Sequence, residues 1–97
     1  MSATFHSIDK ESIGMLKFPI EDILEDNDDA INEREESLRH ALLLGNLEHI
    51  KAKIYFEDDS SKKVVETTIW GVTDKRVILK KGVVIPINRI HKVHVHE

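Results

Sequence analysis

The sequence closes on HKVHVHE, three histidines within six positions. On a strand, side chains alternate with a period of two. His94 and His96 then share one face, while Val93, Val95 and His91 share the other. Two imidazoles in an H-x-H pair can sit on one metal ion, but a tight zinc site takes three or four ligands, each held in place by outer partners. The available third ligands are His49 and Glu97, and no spacing fixes either of them. The stretch therefore reads as a closing strand with Val93 and Val95 toward the core and His94 and His96 solvated. No metal and no cofactor are expected.

A second set of residues is basic and aromatic. Lys51, Lys53 and Tyr55 line the outward face of one strand, Lys92 and His94 project from the last, and Trp70 leaves a third. Lysines of this kind neutralise phosphates, and tyrosine or tryptophan can stack on bases. The same residues have a plainer use, since lysine on an edge strand prevents edge-to-edge association and Trp70 can pack on a helix. The candidate surface for a protein partner or for nucleic acid is Lys51, Lys53, Tyr55, Trp70, Lys75, Arg76 and Lys92. Nothing has the layout of an active site. There is no Gly-rich phosphate loop and no nucleophile elbow. EDNDD (Glu25–Asp29) lacks the glycine and the terminal glutamate of a calcium loop. The remaining carboxylates read as solvated groups on a helix and in EDDSSK. The chain is expected not to be an enzyme.

The elements that must position these residues follow from composition and periodicity. Ninety-seven residues suit one small domain with a modest core. No apolar run is long enough to span a bilayer. MSATFHSIDKESIG lacks the basic and apolar regions of a secretory signal, and there is no cysteine, so a cytoplasmic protein is expected. Charge is divided: residues 1–50 carry twelve acids against four Lys/Arg, net −8, and residues 51–97 carry six against ten, net +4. Such halves either pair within the molecule or direct separate partners. Residues 1–26 read as an acidic, partly disordered arm whose apolar island MLKFPIEDIL docks on a partner or on the basic half. A helix is expected over about residues 28–44. Asn27, Asp28 and Asp29 would cap it, Ile31, Leu38, Ala41 and Leu42 would form its stripe with Arg34 largely off it, and Gly45-Asn46 would stop it. From Ile50 the period becomes two. IKAKIYF, VVETTIWGV, RVILK, VVIPI and the C-terminal stretch read as five strands, with a bend or bulge at Gly71 and a tight turn at Lys81-Gly82.

One helix followed by five short strands, the last two joined by a single turn around NRI, resembles the Sm-like version of the SH3-like small β-barrel. GVVIPINRIHKV carries most of that resemblance, which extends from Asn27 to His96. It implies an α+β fold, with an N-terminal amphipathic helix covering a five-stranded antiparallel barrel. It also implies RNA-reading loops at VTDKRVILK and IPINRI. There, Asp74 stands where the family has Asn, and no Arg-Gly pair follows. GNLEHIKAKIYFE together with VVETTIWGVTDKRVILKKGVVIPINRI is similar to members of a small uncharacterised bacterial family. The function expected is a non-catalytic binding or adaptor module for an unknown protein partner. The alternative is a nucleic-acid-binding barrel that uses the basic half.

Overall fold

The change of period after the helix produces strands where it should, and the computed structural model describes residues 4–95. In chain order these form β1 (His6–Ser7), a 3₁₀ helix (Lys10–Met15) and the long helix α1 (Asp28–Glu48). Then come β2 (Ala52–Glu57), β3 (Lys62–Thr67), β4 (Ile69–Val72), β5 (Arg76–Leu79), β6 (Val84–Pro86) and β7 (Ile90–Val95), with a 3₁₀ turn at Ile87–Arg89. The protein is α+β, with one long helix and seven strands in two sheets among the described residues. Their orders are β1-β3-β2-β7 and β4-β5-β6. No closed barrel forms among these strands. The single strand expected over VVETTIWGV is interrupted at Thr68, and there the chain leaves the first sheet and enters the second.

β2 is the centre of the first sheet, antiparallel to both β3 and β7, with Ile54 opposite Val65 and Val93. Its alternation holds along its length: Ala52, Ile54 and Phe56 are buried, and Lys53 and Tyr55 face the other way. Two register shifts change which residues reach solvent. In β7 the pairs Tyr55–Lys92 and Phe56–Ile90 leave His91 as the extra residue, so Ile90 and Val93 are both buried. His91 therefore does not share the face of Val93 and Val95, as strict alternation would require; a bulge places two residues against one. In β4 the pairs Ile69–Leu79 and Gly71–Ile78 leave Trp70 over. Trp70 remains 52% exposed and is not buried by the helix. At the β5–β6 turn, Lys81 and Gly82 both take positive φ, 68° and 81°, as a tight hairpin demands.

α1 packs against β7 of one sheet and β4 of the other. The Asn27 side chain accepts the Ala30 amide at 3.1 Å, and Asp28 and Asp29 lie in the positive first turn. Its buried face is Arg34, Leu38, Ala41 and Gly45. Arg34 thus lies on the stripe, not off it. The helix also runs through Gly45 and stops at His49, whose φ is 57° and whose amide donates to the Gly45 carbonyl at 3.1 Å. Gly45 serves close packing. A Cβ there would lie 2.7 Å from the Ile69 carbonyl oxygen.

The core is Ile54, Phe56, Val65, Ile69, Val77, Leu79, Ile85, Ile90 and Val93, closed by Leu38 and Ala41 and also by Ile13. Val83, Ile87 and Leu42 are only partly buried at its edge. The segment read as an arm thus places Ile13 in the core and Phe18 against Phe56, with ring centroids 6.0 Å apart. No helix among the described residues is long and apolar enough to cross a membrane.

Candidate functional site

Phe18, Pro19 and Ile20 form one wall of an open groove, and a set of polar side chains holds that wall in place. The Arg34 guanidinium, only 4% exposed, donates to both Asp22 carboxylate oxygens at 3.0 and 2.7 Å and to the Ile90 carbonyl at 3.1 Å. Its Nε has no hydrogen-bond partner among the described residues. The Arg34 hydrogen bonds lower the pKa of Asp22; burial opposes them and the Leu24 amide assists. The Asn88 side-chain amide donates to the Ile20 carbonyl. Arg89 reaches the carbonyls of Glu57, Glu21 and Asp58 at 3.1, 2.9 and 3.3 Å. Among these acceptors, the Ile20 and Glu21 carbonyls lie outside any strand, and meeting them fixes an otherwise irregular segment.

The opposite wall is the β4–β5 turn. Thr73 Oγ1 accepts the amides of Lys75 and Arg76 at 3.3 and 3.0 Å, and the Ile87 amide donates to the Lys75 carbonyl at 2.9 Å. Between the walls lies a groove of about 560 Å³, floored by Pro86 and Ile87 and bordered by Arg34 and Glu35 of α1. A second cavity of about 210 Å³ shares Glu35, Asp74 and Ile87 with it and continues along α1 to Leu38 and Arg39. The two adjoin at those three residues. Lys75 and Arg76 are exposed at the lip of the larger part, and neither side chain has a hydrogen-bond or ion-pair partner among the described residues.

The basic and aromatic residues singled out from the sequence divide between two surfaces. Lys53, Tyr55, Lys92 and His94 share the outer face of the first sheet, Tyr55 opposite Lys92 and Lys53 opposite His94. Lys92 Nζ stands 4.9 Å from the centroid of the Tyr55 ring, and Phe5 meets the Tyr55 and His91 rings edge-on at 5.1 and 5.4 Å. Acids interleave with this face. Glu66 is opposite Lys53, and His91 Nε2 lies 3.0 Å from Glu57 Oε1. Lys51 is exposed just before β2, and Trp70 stands on the second sheet. Lys75 and Arg76 belong to the groove. His96 and Glu97 lie outside the described residues, and His49 is the cap of α1. Among the described residues, no group of three or more His, Cys, Asp or Glu is placed to hold a metal ion.

The apolar wall lies within MLKFPIEDIL, which the sequence marks as a docking segment, but Arg34, Asn88 and Arg89, which hold that wall, were not singled out. Arg34 was discoverable, since it precedes Leu38 by four and Ala41 by seven and so repeats on the helix stripe. Asn88 and Arg89 carry no local signal, because their partners lie in distant segments. EDDSSK hides a structural acid. Asp58 is buried, accepts Lys63 Nζ at 2.8 Å and receives the Ser61 and Ser60 amides at 2.9 and 3.2 Å. Comparison with protein-family models, with curated proteins and with solved structures finds no match for this chain.

Proposed function

We propose that this chain is a non-catalytic binding module that takes a segment of a protein partner into the channel between the 18–22 segment, α1 and the β4–β5 turn. The observation that carries the reading is the groove itself. It is concave and apolar along Phe18, Pro19, Ile20, Pro86 and Ile87, and the exposed Lys75 and Arg76 stand at its lip. Six of its twelve lining residues are charged, and an apolar strip beside charged groups suits recognition of a peptide. The frame is read as an SH3-like, Sm-like small-barrel arrangement. Its support is the strand order β2, β3–β4, β5, β6, β7 and the single 3₁₀ turn at Ile87–Arg89.

A second reading, nucleic-acid binding, draws on one observation: Lys53, Tyr55, Lys92 and His94 are neighbours on one face. Glu57 and Glu66 on the same sheet weigh against it, because they repel phosphate. Amide-resolved NMR separates the two. A pool of random-sequence peptides is expected to shift the amides of Phe18, Ile20, Asp22, Arg34, Glu35, Asp74, Lys75, Arg76, Ile87 and Asn88, and a pool of single-stranded oligonucleotides is expected to leave those of Lys53, Tyr55 and Lys92 in place. Absence of any peptide-induced shift in the groove would sink the first reading. Salt-sensitive shifts on the sheet face would establish the second.

A further inference from the structure

Resting on the groove reading above, we propose that the segment bound is a short peptide in which an acidic residue neighbours an apolar one, the acid over Lys75 and Arg76 and the apolar side chain on Ile87. Charge is sorted along the channel. Lys75 and Arg76 border only the larger part, while Glu35 and Asp74 stand where the two parts meet. The third carboxylate of the larger part, Asp22, is already neutralised by the paired hydrogen bonds from Arg34, and Glu35 is paired with Arg39 at 3.8 Å. Among the described residues that line this part, Lys75 and Arg76 at the lip are then opposed by Asp74 alone. A single acid at that lip is favoured, whereas a run of phosphates would also meet Asp74.

The apolar requirement follows from Ile20 and Ile87. Ile20 borders the groove and is 89% exposed, so a peptide that covers it removes an isoleucine from water. Ile87 is common to both parts of the channel and lies beside the turn that presents the cations. A ligand spanning that distance must place its apolar residue close to its acid. Basic peptides are disfavoured by the lip, and purely apolar ones leave Lys75 and Arg76 without counter-charge.

The test is selection from a phage-displayed library of random peptides on the full chain, followed by fluorescence anisotropy of the enriched sequences. The expected result is enrichment of Asp or Glu beside Leu, Ile or Phe, with affinity that falls as salt rises. Lys75→Glu combined with Arg76→Glu should weaken these peptides roughly tenfold. Exchanging the peptide's acid for lysine should restore binding to that double variant, a rescue that a merely structural role would not give. Both residues are exposed, and thermal unfolding will confirm that the variant folds. Enriched sequences that are basic or uncharged, or a failed charge exchange, would overturn the inference. The groove reading would then survive only if Ile20→Asp abolished their binding. No enrichment of any class would overturn both.

Discussion

Asp58 sits in the connection between β2 and β3, buried while Asp59 and Ser60 beside it are exposed. Burial alone would raise its pKa. The hydrogen bond from Lys63 and the amides of Ser61 and Ser60 outweigh that penalty and lower it from 3.8 to about 2. A carboxyl whose pKa is depressed on folding stabilises the native state above its unfolded pKa and loses that contribution as pH falls through the folded value. The effect is therefore complete above about pH 4 and vanishes toward pH 2, and the shift corresponds to roughly 2 kcal/mol. Asp22, lowered by Arg34, acts in the same direction. Urea unfolding at pH 5 and at pH 2.5 should show this loss, and Asp58→Asn should flatten the difference. An unchanged pH slope in that variant would mean that Asp58 is not the responsible group.

At the level of elements, the instructive residue is Gly45. In a solvent-facing helix, Gly→Ala gains about 0.5–1 kcal/mol because the unfolded chain loses freedom. Here the added methyl meets the Ile69 carbonyl oxygen at 2.7 Å, and that oxygen belongs to a strand that cannot yield cheaply. Gly45→Ala is therefore expected to destabilise by about 1–3 kcal/mol, the usual cost of overpacking. A stabilised variant in equilibrium denaturation would mean that α1 does not approach β4 this closely. The two bulged strands follow a related logic. One extra residue in β7 turns His91 away from the face that alternation assigns it, while Trp70, the extra residue in β4, stays exposed opposite the buried Ile69. A hydrophobic pattern still determines which strands are buried, but the position of a bulge decides which side chain is offered to a ligand.

For the molecule as a whole, the acidic and basic halves are joined by charged side chains that donate to backbone carbonyls, Arg34 of α1 to Ile90 and Arg89 to Glu21. Within the acidic half, Asp22–Arg34 ties the N-terminal segment to α1, and Arg89 also reaches the β2–β3 loop at the Asp58 carbonyl. The core extends into that segment. Ile13→Ala is expected to cost about 2–5 kcal/mol, as is Ile85→Ala on β6, because both side chains are fully buried. The check is urea denaturation of both variants. A loss below about 0.5 kcal/mol for Ile13→Ala would make the segment an appendage after all, since surface substitutions usually fall within that range. An intact segment matters for binding, because Phe18 to Asp22 are one wall of the groove.

The α+β class, the cap at Asn27, the buried face of β2 and most of the core were legible in the residues. Each depends on local periodicity or on a capping side chain, and these act over a few positions. The outward His91 and the placement of Lys75 and Arg76 away from Lys53 and Tyr55 were not legible. They arise from register and from the crossing at Thr68, which depend on which strands pair. The groove is further still from the sequence. Its walls come from four separate stretches of chain, held by Arg34, Asn88 and Arg89 through partners in distant segments. Local patterns determine what becomes a helix or a strand. Only the tertiary fold decides which polar side chains meet, because the hydrogen bonds that fix them join residues with no local relation.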